Sequence, residues 1–495
     1  MTFARCNLSI VFAIVAVLAI ETFAAETRKP NIIVIVGDDM GYADIGVHGC
    51  QDIPTPHIDQ LAASGVRCTN GYVSGPYCSP TRAGLLTGRY QTRFGHEFNP
   101  GGQVNAVPGE DKKKRSTTQS ELSSNDRQFG LPLTETTIAD QLKAGGYITA
   151  LVGKWHLGDL PQFLPQQRGF DEFFGFLGGS HSYIPSSKPP ILRGESATEE
   201  QEYLTDALAR EAVAFINGNA ERPFFLYLAF NAVHTPMEAT DDRLQKFANI
   251  SDERRRTYAA MMSAMDDAIG KVLGAVRKKQ LDENTLVFFI SDNGGPTMPG
   301  TAGNASQNSP LRGSKRTTLE GGIRVPFFVS WPGHLPVGKT YDQPVIQLDI
   351  LPTALAATGT QASGSTAIDG VNLLSYLKGE DDSPPHDSLY WRFGQQMAIR
   401  QGDWKLVRYD PVVDGQQSRA TEGKLYNLAI DIGESSDVIR GEPEKAKAMQ
   451  AAWDKWNESN VAPLWGDGRG QKQKVASGRS KATSRRARPR VRSGQ

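Results

Sequence analysis

Long apolar runs are scarce in this chain of 495 residues. The clearest, Leu8–Ile20, is 13 residues long, short of the roughly 20 that span a bilayer. A multi-span membrane protein is thereby excluded. Charge of one sign is not in excess, because Lys plus Arg and Asp plus Glu both number 54. Hydrophobic residues at 39% and charged residues at 22% exclude a disordered chain and a collagen-like fibre. No internal repeat is present. Cysteine is also rare, at four.

What is present is unevenly placed. Gly468–Gln495 holds ten Lys/Arg and no acid, which leaves 44 basic against 54 acidic residues elsewhere, a net charge of −10. This basic stretch has little aliphatic content and reads as a disordered tail over 466–495 that can contact polyanions. No specific nucleic-acid partner is expected. At the other end, Arg5, the apolar run and the small residues around Ala24 and Ala25 read as a signal peptide over 1–25. The mature protein is therefore expected to be secreted or periplasmic. Cys6 leaves with that segment, and Cys50, Cys68 and Cys78 remain, an odd number for an oxidising compartment. Cys50 and Cys68 can pair, although spacing does not establish it, and Cys78 is then the leftover thiol.

Five apolar runs read as strands covered on both faces: Asn31–Val36, Ile148–Val152, Pro223–Phe230, Thr285–Ile290 and Val325–Trp331. Helical patterns alternate with them. Thr134–Ala144 starts on a threonine cap, and Arg256–Lys279 puts Tyr258, Met262, Met265, Ile269, Val272 and Val276 on one face. The expected fold is α/β, a large mostly parallel or mixed sheet between helices, with a smaller C-terminal α+β domain. The expected boundaries are 26–346 for the catalytic part and 347–465 for the smaller one. Gln103–Gln128 is polar and reads as a surface insertion.

Four of the strands run into Asp38-Asp39, Lys154-Trp155-His156, His234 and Asp292-Asn293. In open α/β sheets the ligand site lies at the carboxyl ends of strands, so four polar ends point to one site. The most specific stretch is Cys78-Ser79-Pro80-Thr81-Arg82, followed by Thr87-Gly88-Arg89. Together with Gly153-Lys154-Trp155-His156, His234-Thr235-Pro236, Ser291-Asp292-Asn293-Gly294 and Leu319-Glu320-Gly321-Gly322, it resembles the type I, formylglycine-dependent sulfatases of the alkaline phosphatase superfamily. The motifs occur in that family's order through most of the chain.

The resemblance implies a sulfuric ester hydrolase with an alkaline phosphatase-like fold. It implies that a maturation enzyme oxidises Cys78 to formylglycine. One hydroxyl of the hydrated aldehyde attacks sulfur, and the other expels sulfate from the covalent intermediate. Asp38, Asp39, Asp292 and Asn293, with residue 78, form the implied metal set. Hard oxygen ligands select Ca²⁺, then Mg²⁺, over zinc or copper. The resemblance further implies that Arg82 steadies the hydrate, that Lys154 binds a sulfate oxygen and that His156 deprotonates the second hydroxyl. His234 and Lys315 bind sulfate and protonate the leaving oxygen. Lys315 is placed by its spacing to Glu320-Gly321-Gly322, with Arg312 and Arg316 as basic rivals. His96, Glu97, His181, Tyr183 and the insertion are candidates for the outer pocket. The expected substrate is sulfated carbohydrate or a small aryl sulfate. A phosphoester or phosphonate hydrolase of the same superfamily, and a non-catalytic polyanion-binding protein, stay open as alternatives.

Overall fold

The computed structural model describes residues 28–100, 129–185, 189–362, 367–416 and 420–466. The proposed signal peptide, the Gln103–Gln128 insertion and the Gly468–Gln495 tail lie outside the described residues. In chain order the strands are β1 (Asn31–Gly37), β2 (Val66–Cys68), β3 (Gly71–Tyr72), β4 (Ile148–Lys154), β5 (Glu172–Phe176), β6 (Ile191–Arg193), β7 (Ser196–Thr198), β8 (Phe224–Ala229), β9 (Thr285–Ser291), β10 (Phe327–Ser330) and β11 (Lys339–Tyr341). All of these except β3 form one sheet in the order β11-β2-β10-β9-β1-β8-β4-β5-β6-β7. Its centre is parallel, β9-β1-β8-β4-β5, while β10 and β6 pair antiparallel at either side. The sheet is therefore mixed, as expected.

The apolar strands are buried on both faces. In β1, Ile33 and Ile35 enter one core, whereas Ile32, Val34 and Val36 enter the other. This is the period-two alternation of a strand with helices above and below. The first core is closed by α4 (Leu204–Gly218) and α6 (Glu253–Lys278), the second by α2 (Cys78–Thr87), α3 (Ile138–Ala144) and α8 (Ile350–Thr358). The six apolar residues expected on one face of α6 are all buried, and Asp252 caps its start by accepting from the Arg255 N–H. The helix expected from Thr134 begins at Ile138 instead. Thr137 is the cap, in a reciprocal pair with Asp140, and the earlier Glu135 turns aside to pair with Arg89.

Beyond these lies a four-stranded antiparallel sheet of β13 (Leu389–Phe393), β14 (Gln396–Gln401), β15 (Trp404–Arg408) and β16 (Lys424–Asn427). The helix α10 (Pro443–Asn457) covers it with Met449, Trp453 and Trp456. The core beneath also takes in Tyr72, Tyr90, Leu319 and Ile323 from the long N-terminal part, so the small sheet packs on the shoulder of the large one. Among the described residues no helix is long and apolar enough to cross a membrane.

Candidate active site

The carboxyl ends of β1, β4, β8 and β9 open onto one small buried volume. Asp38 and Asp39 follow β1, Asp292 and Asn293 follow β9, His156 lies two residues beyond β4, and His234 lies in the turn after β8. Cys78 is the first residue of α2 and Arg82 comes one turn later, so both project from one face of that helix. Both are buried. A helix N-terminus carries partial positive charge, which favours an oxyanion beside residue 78.

The polar side chains meet in pairs. The Cys78 thiol donates to Asp38 Oδ1 across 3.6 Å, and Lys154 Nζ lies 2.5 Å from Asp38 Oδ2. Lys315 Nζ straddles Asp39, at 2.7 Å from Oδ1 and 2.8 Å from Oδ2. Arg82 donates to Asp292 Oδ2 from Nη2 at 2.8 Å and from Nε at 3.1 Å. Three carboxylates thus face three cations. His234 Nε2 lies 3.5 Å from Asp39, while its Nδ1 meets the Thr235 carbonyl at 2.6 Å. That carbonyl makes Nδ1 the donor, so Nε2 is the atom free to exchange a proton.

Burial sets the electrostatics, and the pairs correct it. Burial pushes the Asp38 carboxyl up to about 7, with Asp292 adding to the rise and Lys154 opposing it. Asp39 is buried too, but Lys315 and His234 outweigh the burial and hold it at about 2. Burial and the nearby Asp292 raise the Cys78 thiol, so an unmodified side chain here stays protonated and a poor nucleophile. Burial lowers His234 to about 4, against the pull of Asp39. Burial, then Lys154 and Arg82, hold His156 well below its ordinary value, as a neutral base.

The donor set fits a hard cation. One ligand atom each from Asp38, Asp39, Cys78 and His234 lies within 4.8 Å of the others. Asn293 donates its amide N–H to Asp39 Oδ1 at 2.7 Å, while its own Oδ1 is buried with no partner. An orphaned buried acceptor beside three carboxylates is the environment a divalent cation satisfies.

All of Asp38, Asp39, Cys78, Arg82, Lys154, His156, His234, Asp292, Asn293 and Lys315 come together here. Of the basic rivals to Lys315, Arg312 pairs with Asp414 and Arg316 lies over the Tyr77 ring. The outer-pocket expectation needs correcting. His96 and Glu97 are buried, His96 on the Ser79 hydroxyl at 2.6 Å and Glu97 on Arg392 at 2.7 Å. His181 meets the carbonyls of Ser182 and Pro189, and the Tyr183 hydroxyl donates to those of Asn231 and His234. Apart from His96 Nδ1, buried without a partner, the polar atoms named here are spent on the protein itself. Tyr183 instead holds the turn that carries His234. Ser79, a free position in the motif, donates to the His156 carbonyl at 2.6 Å and so fixes that residue in its left-handed conformation, φ 59°. Nothing in the local sequence marks either role. The open pairing of Cys50 with Cys68 is also settled: both are free thiols, Cys68 in one core and Cys50 against the other.

A parallel-centred sheet with paired carboxylates at its strand ends, facing a helix N-terminus, is the arrangement expected of a hydrolase that acts on oxyanion esters. The chain belongs to the sulfatase family: the Sulfatase model matches residues 30–360, and the model for the C-terminal part of N-sulphoglucosamine sulphohydrolase matches 313–460. It is a type I sulfatase, a sulfuric ester hydrolase. Among curated relatives, N-acetylgalactosamine-6-sulfatase of Sus scrofa is 34% identical over 76% of this chain and 71% of its own. Arylsulfatase A of Homo sapiens is 33% identical over 88% and 89%. The solved structure of Ps i-CgsB in complex with k-i-k-neocarrahexaose is 37% identical, with a TM-score of 0.77 over 88% of this chain and 95% of that one. Phosphonate monoester hydrolase of Agrobacterium radiobacter shares the fold, with a TM-score of 0.59 at 18% identity.

Proposed function

We propose that this sulfatase hydrolyses sulfate monoesters of sulfated carbohydrate outside the cytoplasm, using a formylglycine made from Cys78 and a bound Ca²⁺. The observation that carries the reading is the placement of Cys78: buried at a helix N-terminus, 3.6 Å from Asp38, within a ring of Lys154, His156, His234 and Lys315. Relatives named for a sulfated amino sugar, and a 37% identical structure holding a carrageenan oligosaccharide, support the substrate class.

The hydrated aldehyde at residue 78 supplies the attacking hydroxyl, and bound Ca²⁺ adds positive charge at the sulfate oxygens. Asp38, Asp39, Asp292 and Asn293 would hold the ion, and the Asn293 Oδ1 is free to take part. Lys154 and Lys315 then turn their ammonium groups from the carboxylates to the peripheral sulfate oxygens. Arg82 stays on Asp292 and keeps that carboxylate aimed. Lys315, kept an ammonium by Asp39, gives a proton to the leaving sugar oxygen with His234 beside it, and His156, neutral at working pH, accepts one at the second step.

Mass spectrometry of the peptide containing residue 78 from the native host tests this. Conversion of CH₂SH to CHO lowers the mass by about 18 Da, as expected for oxidation of a thiol to an aldehyde. Active protein carrying only the thiol would overturn the reading. Turnover of an aryl phosphate faster than the matching aryl sulfate would move the assignment to phosphoester chemistry.

A further inference from the structure

We propose that Arg316, seated on the ring of Tyr77, is a subsite for a second oxyanion on the substrate, so that the enzyme selects carbohydrates carrying another acidic group beside the ester it cleaves. The proposal rests on the sulfatase reading above and adds a determinant of substrate choice.

Arg316 stands apart from the cations around it. Arg82, Lys154 and Lys315 sit on the site's own carboxylates, Arg312 on Asp414 and Arg392 on Glu97. The Arg316 guanidinium, half-buried, makes no hydrogen bond or ion pair with any described residue. It lies over the ring of Tyr77, whose centroid is 5.8 Å from its central carbon. Stacking on an aromatic face holds the guanidinium but leaves its in-plane N–H donors unspent, and those donors match the oxygens of a sulfate or carboxylate.

The backbone aims this side chain. Arg316 is in the left-handed region, φ 72°, which an arginine seldom adopts. Its N–H donates to the Pro76 carbonyl at 2.7 Å, and its carbonyl accepts from Gln396 Nε2 at 2.8 Å. The first clamp fixes it against the residues that lead into Cys78, the second against the start of β14. Strained conformations held from outside are concentrated where ligands are gripped. The position also suits a substrate contact, because Tyr77 immediately precedes Cys78 and its ring lies 5.4 Å from Lys315 Nζ, the ammonium that reaches into the site. One ring thus lies beside both a cation neutralised by Asp39 and one with no counterion among the described residues. Phe393, edge-on to Tyr77 at 5.9 Å, extends this aromatic wall. A sugar whose scissile sulfate is at residue 78 lies along Tyr77, with its next acidic substituent toward Arg316.

The test compares a sugar disulfate with the monosulfate bearing the same scissile ester, on wild type and Arg316→Gln. The wild type is expected to favour the disulfate in kcat/KM. Arg316→Gln is expected to lower that preference about tenfold or more, chiefly through KM, as loss of a charged hydrogen-bonding partner does. Arg316→Lys, a point charge without the planar fork, should restore part of it. A sulfated uronide as third substrate tells whether the second oxyanion is sulfate or carboxylate. An unchanged preference in Arg316→Gln, or an equal loss on both sugars, would overturn the proposal. Calorimetric binding of the disulfate to Cys78→Ala and to Cys78→Ala/Arg316→Gln separates this from the functional reading. Weaker binding by the double variant supports the subsite even if no ester is turned over, and equal binding refutes it.

Discussion

A side chain at position 179 would collide with the base of the site. A Cβ on Gly179 would lie 2.7 Å from His156 Nε2, so the ring must swing aside while the backbone stays held by Ser79. Gly179→Ala should therefore displace the imidazole while leaving the metal set and Cys78 in place. A misplacement near 1 Å costs roughly a hundredfold in rate. Single-turnover kinetics should show the loss in the step that releases sulfate, with the melting temperature within a few degrees of wild type. A variant as fast as wild type would mean that His156 takes no part in the chemistry.

Between elements, the loop that presents Lys315 is anchored by buried charge. Glu320, at the start of α7 (Glu320–Ile323), takes Lys405 from β15 at 2.8 Å, and the same ammonium meets Glu434 at 2.9 Å. Glu434 in turn accepts from the Glu320 backbone N–H at 2.7 Å, and Tyr72 donates to Glu320 at 2.7 Å. Lys405→Met leaves two buried carboxylates without their shared cation and should cost about 3–5 kcal/mol, read by denaturant unfolding. The same cluster predicts a pH dependence. Burial raises Glu434 to about 7 from an ordinary 4.5, although Lys405 opposes it, and Glu320 adds to the rise. The folded state therefore holds this proton more tightly than the unfolded chain. The stabilisation is full below pH 4.5 and is lost as pH rises to about 7. Glu434→Gln, which cannot titrate, should flatten the stability profile across that window. An identical profile in the variant would show that the proton resides elsewhere.

For the molecule as a whole, the cation is expected to matter for stability as well as for turnover. Asp38 and Asp39 follow one strand, Asp292 and Asn293 another, and Cys78 starts a helix, so an ion there ties three elements together. Ca²⁺ at about a thousand times its Kd should add roughly 4 kcal/mol to unfolding, and chelation should remove it. A melting temperature indifferent to both Ca²⁺ and chelator would remove the metal site from the reading. This test needs no substrate and no modified Cys78.

The chain by itself determined the sheet and the acid cluster. Unbroken β-branched runs such as Asn31–Val36 suit strands with both faces covered, and a parallel sheet gathers whatever follows its strands at one edge. Asp38, Lys154, His234 and Asp292 were legible for that reason, and Cys78 and Arg82 through the Cys78-Ser79-Pro80-Thr81-Arg82 motif and its resemblance to the sulfatases. Only the tertiary structure decided which polar residues serve the protein rather than a ligand. Glu97 looks like a loop acid until Arg392, 295 positions away, takes its carboxylate. Glu320 and Lys405 are 85 apart, and Gly179 shows its purpose only against the His156 ring. Periodicity and local motifs report what the backbone does within a few residues. Pairing of buried charges and closeness of packing depend on which distant segments meet, and that is settled only when the two sheets have closed on each other.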